Sequence, residues 1–233
     1  MTIGQAFNAT IAYYDEWMET ALLNYHDLFG TAQALIPFDP QTPIAVLDLG
    51  AGTGLFSKHV WEKYPNAHFM LYDLADKMLD VAKDRFHQQA QQFSYVVGDY
   101  RHIQTAQTFD LVISSLSIHH LAHDEKRALF GDIYRLLRPG GLFINVDQIR
   151  GETPGLQEIY WSHWLDRVRQ AGFAEARIQE SVVRRQTYDQ DALLADQLQW
   201  LKEAGFVNVD CVYKNYFVGV FLAMKVQGEA KAL

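Results

Sequence analysis

The sequence predicts an α/β fold: a seven-stranded, mostly parallel sheet with an antiparallel last strand, helices on both faces and a helical lid. Three observations carry it. Between residues 44 and 147, short apolar runs alternate with segments of helical spacing, the order of a parallel sheet wrapped by helices. A turn with glycine at every second position, Gly50, Gly52 and Gly54, joins the first apolar run to the first helical one. Two β-patterned runs, 207–215 and 216–225, then close the chain.

Each element has its own warrant. Residues 6–35 read as two short helices with aromatic faces, including Phe7, Tyr13, Tyr14, Trp17, Tyr25 and Phe29. The prolines of PFDPQTP (37–43) break that pattern and lead into the core. IAVLDLG (44–50) is apolar enough for a strand buried on both faces. LFSKHVWEKY (55–64) repeats its apolar residues at helical spacing. HFMLYD (68–73), FSYVVGD (93–99), FDLVISS (109–115) and LFINVD (142–147) are further strands, and DKMLDVAKDRF (76–86) a further helix. Residues 124–141 read as a helix stopped by Pro139 and two glycines. Residues 151–190 are mostly helical and rich in Trp, Tyr, Arg and Gln, as an insert covering a site would be. DALLADQLQWLKEAGF (191–206) is an amphipathic helix, and the closing runs form an antiparallel pair at the sheet edge. The organisation is one domain: lid 1–40, core 41–150, helical cap 151–190, last helix and hairpin 191–233.

The totals narrow the function. With 28 acidic and 20 basic residues the net charge is −8, a poor match for a phosphate backbone, so nucleic acid is not the expected partner. Cys211 is the single cysteine, which rules out an intrachain disulfide or a cysteine-based metal centre and suits a cytoplasmic setting. The first residues lack the basic start and apolar run of a signal peptide, and no apolar stretch approaches membrane-spanning length.

The glycine turn lies where a doubly wound sheet binds ligands, beyond the carboxyl ends of its strands. Counting from Gly50, the position of a third dinucleotide glycine is Leu55, and no phosphate loop of the G-x-x-x-x-G-K type exists. The pattern is instead D-x-G-x-G-x-G, from Asp48 to Gly54. Asp73 ends the second strand 19 residues after Gly54, Asp99 closes the third, FDLVISSLSIHHL (109–121) follows, and LLRPGGLFINVD (136–147) comes after that.

This ordered set resembles the class I methyltransferases that depend on S-adenosylmethionine (SAM), a Rossmann-like family; the resemblance covers residues 40–150. It implies that the loop wraps the methionine end of SAM through Asp48, Gly50, Ala51, Gly52 and Gly54. It implies that Asp73, with Leu74 beside it, clamps the ribose, and that Asp99 and Tyr100 face the adenine. Ser115, at the end of the fourth strand, is implied near the methionine carboxylate and amine.

Methyl transfer from a sulfonium needs alignment and exclusion of water; a base is needed only if the acceptor must lose a proton. Candidates for chemistry are His119 and His120, after the fourth strand, and Tyr14 in the lid. Tyr25, Asp147, Trp161, His163 and Trp164 are candidates for substrate contact. His119 and His123 have the spacing of a helical ligand pair, but nothing in the sequence brings a further ligand to them, so no metal is assigned. The expected activity is methyl transfer from SAM to a small molecule, with the aromatic cap suiting a homodimer contact. Two alternatives stand beside it. The N-terminal FNATIAYYDEW…NYHDLF arrangement and the WLKEAGF…YFVGVFLAMK ending resemble the carboxy-SAM synthase branch, which modifies SAM itself, although no arginine here clearly matches its carboxylate-binding one. The other is a SAM-binding sensor or subunit without transfer activity.

Overall fold

The computed structural model describes residues 3–8 and 11–228. Residues 1, 2, 9, 10 and 229–233, assigned above to the lid and the last segment, lie outside the described residues. The seven strands are β1 (Ala45–Leu49), β2 (His68–Asp73), β3 (Phe93–Val97), β4 (Phe109–Ser115), β5 (Leu137–Gln148), β6 (Val207–Asn215) and β7 (Val218–Met224). They form one sheet in the order β3-β2-β1-β4-β5-β7-β6. β1 pairs in parallel with both β2 and β4, and β7 is antiparallel to its two neighbours.

The strands of the middle are apolar on both faces because both faces are covered. Val46, Leu71, Ile113 and Ile144 point into one core, with Phe29 of α3 (Tyr25–Ala34), Phe56 of α4 (Leu55–Lys63) and Leu79 of α5 (Asp76–Arg85). Leu47, Leu49, Val112 and Phe143 point into the other, with Phe130 of α6 (His123–Leu136) and Trp200 of α9 (Leu194–Glu203). Neighbouring residues such as Val46 and Leu47 fall on opposite faces, as a pleated strand requires.

Two expectations are corrected in detail. The lid is more broken than two helices: α1 (Ile3–Asn8), a single 3-10 turn (Ile11–Tyr13) and α2 (Tyr14–Ala21) precede α3. Asn24, with φ 58°, stands in the left-handed region at the start of α3 and separates it from α2. The helix expected over 124–141 stops at Leu136, and the LRPGG segment already belongs to β5. Leu137 pairs with Phe109 before a register shift, and Gly140, at φ 78°, turns the chain back into the ladder. The closing antiparallel pair stands at the sheet edge as expected, with β7 between β5 and β6 and β6 on the rim with alternating exposure.

The insert forms α7 (Pro154–Gln170), capped by the Thr153 hydroxyl, and α8 (Glu175–Tyr188). It is fastened to the lid. The Trp164 indole N–H donates to the Ala21 carbonyl at 2.9 Å, and Trp17 meets Phe173 edge to face. Trp17, Trp164, Val168 and Ile178 are continuous with the core on that face of the sheet.

Candidate functional site

The three glycines of the first turn serve different ends. Gly50, at φ 68°, has no room for a side chain, since a Cβ would sit 1.9 Å from the Ser117 hydroxyl oxygen. Gly54, at φ 79°, is packed under Phe86, 2.8 Å from where its Cβ would lie. Gly52, at φ 54°, faces open space. Its N–H donates to Asp73 Oδ2 at 2.8 Å, while Asp73 Oδ1 accepts the Ala75 N–H at 2.7 Å. The carboxylate at the end of β2 is thus anchored to the loop after β1. Burial raises its pKa, and the hydrogen bonds from Ala75 and Gly52 act the other way.

Around this corner lies a cavity of about 330 Å³ lined by Gly50, Gly52, Asp73, Leu74, Asp99, Tyr100 and Ser117, among others. The Tyr100 hydroxyl bonds to Ser117 at 2.9 Å. Asp99 is held below the usual carboxylate range by Arg101, whose Nε approaches both its oxygens at 2.9 and 3.0 Å. Arg101 reaches on to Glu125 at 2.7 Å.

A second cavity, about 100 Å³, opens beside the first. Its apolar wall is Phe7, Tyr14, Trp17, Trp164 and Phe217, and its polar edge His119, His120, Gln148 and Asp189. Behind that edge His119 is fully engaged: its Nδ1 lies 2.6 Å from Asp147 Oδ1, and its backbone N–H donates to Asp147 Oδ2 at 3.0 Å. Burial depresses the His119 pKa, but the charges of Asp189 and Asp147 outweigh it, so the net direction is upward. His120 goes the other way, down to about 4, through burial and the neighbouring His119. Burial, reinforced by the charge of Asp73, pushes the Tyr14 phenol up, so it is a neutral hydroxyl. Leu116, between the two cavities, holds φ 48°, an unusual angle for a branched side chain and one that tends to gather at sites of function.

Gly50, Gly52, Asp73, Leu74, Asp99 and Tyr100 therefore share the first cavity; His119 and Trp164 line the second; Tyr14 and His120 line both. The remaining candidates are placed elsewhere. Asp48 is 1 % exposed and turned into the core, where its Oδ2 accepts the Ser57 hydroxyl at 2.6 Å. Ala51 and Gly54 shape the loop from behind the cavity wall, and Ser115 gives way to Ser117, two residues on. Tyr25 points into the packing of α3 on α4, its hydroxyl 3.0 Å from His59 Nε2. Asp147 is completely buried and acts on His119 alone of the cavity-lining side chains that form its polar edge, apart from its own chain neighbour Gln148, whose N–H it accepts at 2.9 Å. Trp161 stacks behind Trp164, and His163 stacks on Tyr216 at 3.9 Å, both outside the cavity lining. His119 and His123 do not form the helical pair that their spacing suggests, because His119 lies within a 3-10 turn (Ile118–His120) before α6 begins and His123 packs against Trp200. Sequence reasoning missed Ser117, Gln148 and Asp189. Ser117 lies inside the quoted SSLSIHH run and was within reach; Asp189, at the end of the cap, carries no local signal.

A glycine turn, acidic residues at the end of β2 and just beyond β3 and a largely apolar cavity beside them, on a sheet whose last strand runs antiparallel, make up a Rossmann-like methyltransferase fold. Residues 46–141 match the family model described as "Methyltransferase domain". The carboxy-S-adenosyl-L-methionine synthase of Trichodesmium erythraeum is 25% identical over 229 residues, 94% of this chain and 88% of that protein. The malonyl-[acyl-carrier protein] O-methyltransferase 2 of Ilyobacter polytropus is 25% identical over 142 residues, 61% of this chain and 52% of that protein. Matches to several curated relatives thus span about half of their length or less. Human N-acetylserotonin methyltransferase, solved in complex with SAM, shares the fold with a TM-score of 0.64 at 19% identity, over 97% of this chain and 57% of that one. Among the described residues no helix is long and apolar enough to cross a membrane.

Proposed function

We propose that the protein transfers the methyl group of SAM to a compact small molecule held in the aromatic cavity. The observation that carries this reading is that the two cavities meet, sharing Phe7, Tyr14, Leu116 and His120. SAM, when bound, supplies a methyl group activated by a positive sulfur. The chain's part is to hold, orient and keep dry. Gly52 leaves the space a donor needs, Asp73 offers a fixed carboxylate to a ribose, and Asp99 and Tyr100 form the far wall. Phe7, Tyr14, Trp17 and Trp164 enclose the acceptor and exclude water.

Titration calorimetry with SAM tests the first half. The wild type binds, whereas Gly52→Val and Asp73→Ala lose at least about tenfold in affinity, roughly 1.4 kcal/mol, while keeping a native circular dichroism spectrum. Unchanged affinity in both variants sinks the assignment. Labelled-methyl transfer into a panel of small aromatic acceptors tests the second half, and label found only in protein or RNA refutes it. A second reading has one specific support: the carboxy-SAM synthase match runs through lid, core and cap. Exact mass of the nucleoside released from purified protein separates the two, since SAM or its demethylated product supports methyl transfer and carboxy-SAM supports the other. The same reading includes a cytoplasmic setting and a homodimer through the outer face of the cap, where Ile159 and Val183 are exposed; sedimentation at monomer mass would remove the latter.

A further inference from the structure

One cluster at the edge of the acceptor cavity is not used up by methyl transfer. His119 and His120 come from the turn after β4, and Asp189 comes from the end of α8, 69 residues further on. Each offers one donor atom, and these atoms lie within 4.8 Å of one another. Asp189 Oδ1 is 3.0 Å from His120 Nδ1 and 3.6 Å from His119 Nε2. We propose that His119, His120 and Asp189 form a binding site for one divalent transition-metal ion on the wall of the aromatic cavity.

Four features support the assignment. The first is spacing. Bonds of about 2.1 Å place neighbouring ligands about 3.0–3.5 Å apart, and the two separations to Asp189 already lie at or beside that range. The second is the state of His120. It is buried and close to Asp189, yet neither ring nitrogen is aligned for a hydrogen bond with any described group. Nitrogen and oxygen aimed past one another at 3.0 Å are what convergence on a third point produces. The third is support from behind. Asp147 holds His119 Nδ1 at 2.6 Å, which fixes the tautomer that leaves Nε2 as the donor and is the usual carboxylate–histidine backing of a bound ion. The fourth is Gln148. Its amide nitrogen lies 2.9 Å from His119 Nε2 and 3.0 Å from Asp189 Oδ2, and its Oε1 has no partner. Turning that amide over brings an oxygen to the same point as a further ligand, an arrangement that the Asp189 carboxylate alone would repel and a cation would favour.

Charge is consistent with this. Arg185 compensates Asp189 only in part: its Nη2 is held by Asp191 at 2.5 Å and its Nε stands 3.9 Å from Asp189 Oδ2. Two imidazoles and a carboxylate with open positions suit zinc, iron or manganese rather than magnesium or calcium. The open positions face the cavity that the methyltransferase reading gives to the acceptor, so the site selects an acceptor with a metal-binding oxygen. That last step rests on the methyltransferase reading; the ion site does not.

The test uses untagged, chelator-treated full-length protein without SAM. Co2+ is titrated while the visible absorption of the bound ion is followed, and Zn2+ and Mn2+ are titrated by calorimetry. The expected result is one ion per chain, with affinity reduced at least tenfold in Asp189→Asn and in His120→Ala, and unchanged in His123→Ala. Asp147→Asn, acting through His119, reduces affinity by about ten- to a hundredfold. Should Asp189→Asn unfold, His120→Ala carries the test, with a native circular dichroism spectrum as its control. No binding, or binding that none of the cluster variants weakens, overturns the proposal. Calorimetry with SAM on the same samples distinguishes this failure from loss of the donor site.

Discussion

Asp48 is the sharpest place to test the energetics of the fold beneath the site. Its carboxyl sits at the carboxyl end of β1 in the core, with one oxygen bonded to Ser57 and Oδ1 without a partner. Burial, reinforced by the charge of Asp73 and opposed by the bond from Ser57, pushes its pKa up from 3.8 to about 7. In the unfolded chain the group ionises near 3.8. The folded state therefore holds its proton more tightly than the unfolded state does. The stability linked to that proton is complete below about pH 4 and is lost as pH rises through about 7. A shift of about 3 units corresponds to on the order of 4 kcal/mol. Asp48→Asn keeps the shape and an acceptor for Ser57 but never ionises. Urea denaturation at intervals between pH 4.5 and 8.5 should show the variant gaining on the wild type by about 1.4 kcal/mol per pH unit up to about pH 7, then a constant gap. A gap that does not change with pH, or wild type the more stable at pH 8.5, would falsify the buried, proton-holding account of Asp48.

Other outcomes follow from the same geometry. Gly50→Ala should cost about 3 kcal/mol, from the clash with Ser117 and the left-handed angle together, read as a lower urea midpoint. Gly52→Ala should cost only about 1 kcal/mol for its angle yet weaken SAM binding at least tenfold; equal urea midpoints for the two alanine variants would remove the distinction. Trp164→Phe breaks the bond from cap to lid and should cost about 1.5 kcal/mol, roughly 3–6 °C in Tm, with SAM affinity little changed because Trp164 lines only the second cavity. A Tm equal to wild type would mean the bond does not hold the two together.

The fold was legible because its signals are local and repeated. Apolar runs such as IAVLDLG can hardly be anything but central strands when helices alternate with them, and the glycine turn marks the first crossover. The lining of the first cavity was legible for the same reason: Gly52, Asp73 and Asp99 lie at or just beyond strand ends, which chain order alone locates. The lining of the second cavity was not. Trp161 and His163 flank Trp164 on one helix, yet only Trp164 lines the cavity, because helix rotation against the lid is a tertiary fact. Asp48 misled since its place in the glycine motif says nothing of which way the side chain turns, and the core claimed it through Ser57. Asp189 could not be foreseen: only the return of the cap onto the turn after β4 makes it a neighbour of His119.

The fastening of cap to lid gives the molecule a built-in optical reporter. Of its five tryptophans, Trp17, Trp161 and Trp164 are gathered at this joint, with two of them on the wall of the second cavity. Trp61 and Trp200 stand apart from both cavities. An acceptor that enters must brush the indoles at the joint, and a cap that lifts must expose them to water. Filling of the first cavity is spectrally quieter, since no tryptophan lines it. Unlabelled protein in a fluorimeter can therefore show in which order the two chambers fill, before any product has been identified.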